Sequence, residues 1–382
     1  MPDGARAYCP LIDGQPAKRA GCPRAAGSFA HARALLSLRT FRFALVAAVL
    51  LPAGVNETLP SVTVVIAARP RQAEVKAVAA SRALDYPADR LAILVARGTQ
   101  PSVQRNAAVK AAPGELVYFL DDDSAPAPGN LRRAVEHFRD PRVQMVGGPN
   151  LCPPEAPPLE QVFARVLASE LAFGPSRARY AAVGRTRATS EKELILCNLL
   201  ARRNALLELG GFDEALYPNE ENALMDQLQR RGGKLLYDPQ LVVWRRPRAS
   251  LRAFARMLMT YGRGRAEQFR RHPTPGSALN FVPPLFCLYL LALLPLWWLT
   301  PLGKLSLWPL AGYALVVLAQ GLVSAVRGPV WQSVAALPLV VLTHLLYGAG
   351  FWRGLFTRLT PPAPSAPGQV VLETPPPGNA GG

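Results

Sequence analysis

Residues 115–124 read Glu-Leu-Val-Tyr-Phe-Leu-Asp-Asp-Asp-Ser, and the reading of this stretch decides the rest of the chain. Leu116 to Leu120 are apolar or aromatic without a break, the pattern of a strand buried on both faces. The strand runs straight into Asp121, Asp122 and Asp123, with no cation beside them in the sequence. Like charges at the end of a buried strand call for a neutralising partner. In extended backbone residues i and i+2 share a side, so Asp121 and Asp123 face together while Asp122 faces away. Two carboxylates at the carboxyl end of a strand suit a hard divalent ion that also grips phosphate oxygens. The same letters fit a solvated acidic turn that caps the next helix after Pro126 and Pro128. The surrounding chain favours the metal–phosphate reading.

Upstream, Ser61–Ile66 is mostly β-branched and predicts a first strand, followed by a helix over 72–84. Leu91–Val95 predicts a second strand, and 102–112 a helix leading into the stretch above. Downstream come a helix from Asn130 to Phe138 and a strand over Val143–Val146. This alternation predicts an α/β fold with a mostly parallel sheet and right-handed crossovers. Ligands of such sheets sit off the carboxyl ends of the strands. After a proline-rich break at 153–158, the pattern predicts a helix over 159–171 and a basic loop holding Arg177, Arg179, Arg185 and Arg187. A strand over Leu194–Cys197 then leads through Asn198 into a helix ending at Gly210-Gly211. Asn219-Glu220-Glu221-Asn222 opens a further helix, where acids in the first turn also suit the helix dipole. Short strands follow at Lys234–Tyr237 and Leu241–Trp244.

The formal charge of +17 demands an anionic partner, either nucleic acid or a membrane surface. The nearly unbroken apolar run from Phe281 to Trp352 decides for the membrane. It divides into three spans, Phe281–Thr300, Leu305–Val326 and Val330–Trp352, each near the roughly 20 residues a crossing needs. Before them, 250–271 is a basic amphipathic helix that predicts an anionic bilayer surface beneath its apolar face. Its few aromatics lie on that face, away from most of its arginines, which argues against nucleic acid. The arginines ahead of the first span place the preceding domain in the cytoplasm, and three spans then send the C-terminus outside. Five scattered cysteines without a C-x-x-C pair argue against a disulfide framework or zinc site. The expected organisation is a leader over 1–58 with an apolar segment at 41–55, an α/β domain over 59–247 and an interfacial helix over 248–275. A membrane region over 276–354 and a disordered Pro/Gly-rich tail over 355–382 complete it.

The ordered set SVTVVIAAR (61–69), LDYPADRLAILV (84–95), QRNAAVKAAPGELVYFLDDDSAP (104–126), GGFDE (210–214), NEEN (219–222) and GGKLLYDP (232–239) resembles the inverting family 2 glycosyltransferases of the GT-A fold. The likeness is greatest to membrane-anchored bacterial enzymes of exopolysaccharide and envelope glycan synthesis, the succinoglycan type. The resemblance implies a nucleoside-diphosphate sugar donor and a magnesium or manganese ion held by Asp121 and Asp123, with Asp122 beside them. It implies Glu221 as catalytic base, a pyrophosphate contact from Arg263 or Arg265, and Arg105 as a further donor contact. Glu220 and Asn198 are supporting candidates. The acceptor implied is a lipid-linked glycan at the inner face of a bacterial cytoplasmic membrane. Transfer onto polyprenyl phosphate, or non-catalytic binding of a nucleotide or glycan, are the alternatives. The chain departs from the family after its second strand, where an Asp-Asp-Gly-Ser is usual and Val95–Gln100 hold no acid. Arg69-Pro70 likewise stands where an Asn is common, and both changes point to a different donor pocket.

Overall fold

The computed structural model describes residues 59–216, 218–273, 275–299, 303–359 and 370–376; the leader over 1–58 lies outside them. β1 (Val62–Ala68), α1 (Lys76–Arg82), β2 (Leu91–Arg97), α2 (Pro101–Ala111) and β3 (Leu116–Asp121) alternate as the apolar runs require. Next come β4 (Ala125–Pro126), α3 (Asn130–His137), β5 (Val143–Gly147), β6 (Asn150–Leu151), α4 (Pro158–Leu167) and α5 (Glu170–Phe173). β7 (Arg187–Thr189), β8 (Leu199–Arg202), α6 (Arg203–Glu208), α7 (Glu220–Arg230), β9 (Lys234–Tyr237) and β10 (Val243–Trp244) complete the α/β unit.

The main sheet is mixed. β1 lies between β2 and β3, parallel to both, with Ala67 opposite Ala96 and Asp121 in one row. β8 inserts antiparallel between β3 and β5, and β9 runs parallel to β5. Strand alternation divides the core between the two faces. Val64, Ile66, Tyr118 and Leu120 pack with Leu131 and Val135 of α3, while Val65, Val117 and Phe119 pack with Val109 of α2 and Leu224 of α7. A small second sheet, β4-β10-β6, brings the end of β10 against the acidic end of β3.

One local expectation is corrected. Leu196–Asn198 form a tight turn and Leu199–Arg202 the strand, so strand and helix both fall later than the spacing predicts. The Asn198 side chain holds this turn: it accepts from the Tyr118 hydroxyl at 2.8 Å and donates to the carbonyls of Pro149 and Leu241. An amide so engaged competes with helix formation at its own position. In the basic loop Arg185 is exposed while two other arginines are engaged by protein. Arg179 is buried and bonded to Asn222 at 2.6 Å, while Arg187 pairs with Glu193 at 2.7 Å and lies over the Tyr237 ring.

Four long helices follow: α8 (Leu251–Arg271), α9 (Val282–Leu299), α10 (Trp308–Val326) and α11 (Val330–Phe356), the last three within segments long and apolar enough to cross a membrane. Ser250 caps α8 by accepting from the Ala253 amide at 3.3 Å. The apolar face of α8, expected on a bilayer, is covered by protein. Phe254 stacks on Phe163 of α4 at 4.3 Å, and both pack with Ala336 and Val340 of α11. Glycines allow the closest approach: a Cβ at Gly262 would lie 2.0 Å from the Tyr347 carbonyl, and one at Gly350 2.1 Å from that of Met259. At the end of α8, Arg270 donates to the carbonyls of Gly354 and Thr357, where α11 ends.

The tail is a further correction. Val371–Glu373 form β11, antiparallel to β2 at the edge of the main sheet, with Glu373 bound to Arg97 at 2.8 Å. Val370-Val371-Leu372 is a short β-forming run within the Pro/Gly-rich composition, and an open sheet edge supplies its backbone partners. This stretch therefore lies on the side of the α/β unit, not across the apolar block from it.

Candidate active site

The carboxyl end of β3 carries the predicted acids. The strand ends at Asp121, and Asp122–Asp123 form a turn closed by the Ser124 amide, which donates to the Asp121 carbonyl at 3.1 Å. This turn, not extended backbone, brings Asp121 and Asp123 together on a guanidinium: Arg245 contacts Asp121 at 3.0 Å and Asp123 at 2.5 Å. Arg105 of α2 adds a second contact to Asp121 at 3.3 Å. The acids that stand without a cation in sequence thus have two in space, brought by α2 and by the end of β10. Burial pushes the Asp121 carboxyl up, but Arg245 and Arg105 outweigh it and hold the group below the usual carboxylate range. Asp122 makes no ion pair among the described residues, and its backbone carbonyl accepts from the Ala77 amide.

No cluster of three or more His, Cys, Asp or Glu side chains suited to a metal occurs among the described residues. The Asp121–Asp123 pair is nonetheless a set of hard oxygen donors arranged around one cationic group. Such a pair fits a divalent ion that takes its remaining ligands from a diphosphate and water. Asp123→Ala should therefore weaken metal-dependent binding of a nucleoside diphosphate far more than Asp122→Ala. Calorimetry checks this, and equal losses at the two positions would refute the pairing.

The second acidic pair opens α7. Asn219 takes a left-handed backbone with φ 92°, which asparagine tolerates, and accepts from the Asn222 amide at 2.8 Å. The turn sends the two glutamates apart. Glu220 points inward, its carboxylate bonded to Arg105 at 2.9 Å, so Arg105 bridges it to Asp121. Burial, and then the neighbouring Glu221, push the Glu220 carboxyl up to about 7 against the pull of Arg105. Glu221 lines a cavity that Glu220 does not.

The raised Glu220 carboxyl has a stability consequence. A folded-state value above the unfolded one stabilises below the unfolded value and is lost as pH rises through the folded value. Thermal unfolding should therefore move to lower temperature between about pH 4.5 and 7. Glu220→Gln should flatten that dependence, and an unchanged slope in the variant would assign it to another group.

The cavity beside Glu221 measures about 340 Å³. Glu221 and Arg179 of the α/β unit and Arg265 of α8 line it together with Val282 of α9 and His344 and Tyr347 of α11. Of the two arginines predicted for pyrophosphate, Arg265 is thus brought to Glu221 and reaches Asn222 at 3.4 Å. Arg263 pairs with Glu267 on α8 at 3.3 Å and lines neither this cavity nor the next. A second cavity of about 290 Å³ lies at the acidic end of β3, walled by Asp123, Arg245, Arg246 and Arg248. Asn198 lines neither cavity, its amide being spent on the turn described above. Sequence reasoning missed Arg245, whose only signal was its place in the arginine-rich run after the last short strand.

A family model, glycosyltransferase-like family 2, matches residues 44–260, and the chain belongs to that family. Its mixed α/β unit followed by apolar helices is the GT-A arrangement that the resemblance implied. Among curated relatives, the pre-mycofactocin glycosyltransferase of Mycobacterium tuberculosis is 31% identical over 181 residues, 47% of this chain and 37% of the relative. The succinoglycan biosynthesis protein ExoA of Rhizobium meliloti is 29% identical over 192 residues, 49% of this chain and 54% of the relative. The chain thus covers about half or less of these relatives. A solved mannosyltransferase of Pyrobaculum calidifontis, in complex with GDP-Man and Mn2+, aligns over 85% of this chain and 96% of its own at 19% identity, with a TM-score of 0.47.

Proposed function

We propose that the protein transfers a sugar from a nucleoside-diphosphate donor to a lipid-linked glycan at the inner face of the cytoplasmic membrane, inverting the anomeric carbon. The observation that carries this reading is the position of Glu221, in one cavity with Arg265 and with side chains of the apolar helices α9 and α11. An acceptor that is polar at one end and hydrocarbon at the other matches such a wall. Glu221 takes the proton of the acceptor hydroxyl as the new carbon–oxygen bond forms. The bond from the anomeric carbon to the diphosphate oxygen breaks, and the nucleoside diphosphate leaves with the electron pair. Arg245 and Arg248 orient that leaving group and offset its charge, while Arg265 stands beside Glu221. Asp121 and Asp123 would hold a magnesium or manganese ion, whose contribution when bound is to neutralise charge on the diphosphate. Arg105 keeps Asp121 and Glu220 in register between the two acidic elements.

The test is a panel of UDP-, GDP- and dTDP-sugars, titrated with magnesium or manganese into detergent-purified protein. Saturable, metal-dependent binding of one donor is expected. Binding of none would refute the reading, and binding with no transfer to any lipid-linked acceptor would favour a non-catalytic nucleotide-binding role.

A further inference from the structure

We infer that Tyr180 and Tyr261 hold the sugar ring during transfer. The inference rests on the function proposed above. Tyr180 follows the short turn after α5, and Tyr261 sits midway along α8. Their hydroxyl oxygens lie 3.4 Å apart. Together with Ile195 they line both cavities, the one walled by Asp123, Arg245 and Arg248 and the one holding Glu221 and Arg265. The tyrosine pair is thus the partition between the phosphate-binding side and the base.

An in-line displacement explains why that partition matters. The leaving diphosphate and the attacking hydroxyl stand on opposite faces of the anomeric carbon. The sugar ring then occupies the space between the side that binds diphosphate and the side that holds the base. Residues common to both sides are those it touches. Each tyrosine hydroxyl has one donor and two acceptor positions, and a bond between the two consumes only one donor. The pair therefore retains a donor and acceptors for sugar hydroxyls. Phe173 packs edge-on against the Tyr180 ring at 5.6 Å and holds it in place, so the contact is presented by a fixed ring.

The experiment compares Tyr180→Phe, Tyr261→Phe and the double variant with wild type. Binding of the sugar-free nucleoside diphosphate and of the intact donor are measured separately, with transfer kinetics alongside. Each single change should leave nucleoside-diphosphate affinity unchanged and weaken intact-donor binding on the order of 3- to 10-fold, the size of one lost hydrogen bond. Discrimination among donors with the same nucleotide but different sugars should narrow in the double variant. Equal weakening of nucleoside diphosphate and intact donor would overturn the assignment, placing the pair at the phosphates. Unchanged binding and kinetics in the double variant would overturn it as well. Failure of the wild type to bind any of the donors would instead bring down the proposed function itself. Phenylalanine keeps the ring packing, and unfolding temperatures within a degree or two of wild type confirm that the variants are folded.

Discussion

Glu221→Gln should lower the transfer rate by about 100- to 10,000-fold while leaving donor affinity nearly intact, the signature of a lost general base. The amide preserves the shape of the carboxylate and removes its basicity. Glu221 lines the larger cavity and has Asn222 as a hydrogen-bond donor at 3.3 Å, so the substitution disturbs little else. Glu220→Gln acts on a buried carboxylate that is bonded to Arg105 and feels the charges of Glu221 and Asp121. It should shift stability and its pH dependence more than turnover. Steady-state rates and donor affinities for both variants decide the matter. A Glu220 variant that loses transfer while the Glu221 variant keeps it would reverse the roles. Loss of donor binding in Glu221→Gln would mean that the residue shapes the donor site.

Gly262→Val should separate α8 from α11 and lower the unfolding temperature by several degrees. The added Cβ would meet the Tyr347 carbonyl at 2.0 Å and the Phe351 amide nitrogen at 2.8 Å, and both are backbone atoms with nowhere to turn. Overpacking of this kind costs about 1–3 kcal/mol when the structure can shift, and more when it cannot. Tyr261 and Arg265 flank the position on α8, so transfer should fall with stability. Gly312→Val is the matched control, because a Cβ there meets nothing within 4 Å. Equal unfolding temperatures for the two variants would show that α8 and α11 do not depend on this contact.

Sequence pattern carried a reading where neighbouring residues suffice to set local structure. The β1-α1-β2-α2-β3 alternation follows from apolar runs and breakers, and the pairing of Asp121 with Asp123 was legible although a turn after Asp121, not extended backbone, delivers it. What pattern could not carry were the partners supplied from far along the chain. Arg245 lies 122 residues from Asp123, and the arginine run gives no reason to single it out. The direction of the two glutamates likewise depends on the left-handed backbone at Asn219, a single dihedral that no periodicity reports. For α8 the amphipathic pattern was legible, but one apolar face suits a lipid surface and another helix equally, and the Phe254 stack on Phe163 and the glycine contacts identify the cover. The β-forming run at 370–372 was hidden by composition, because a few such residues among prolines and glycines do not register in a window average.

Arg270, at the end of α8, holds the carbonyls of Gly354 and Thr357 at the end of α11, and β11 then joins the main sheet. The chain leaves its apolar helices beside the point at which it entered them. α11 packs along its length on α4 and α8, its first half against Phe163 and Phe254 and its second half against the glycine-lined stretch of α8. Entry and exit of the apolar block are thereby tied to each other and to the α/β unit, so a displacement at the end of α11 is felt both at α8 and at the sheet edge that β11 closes.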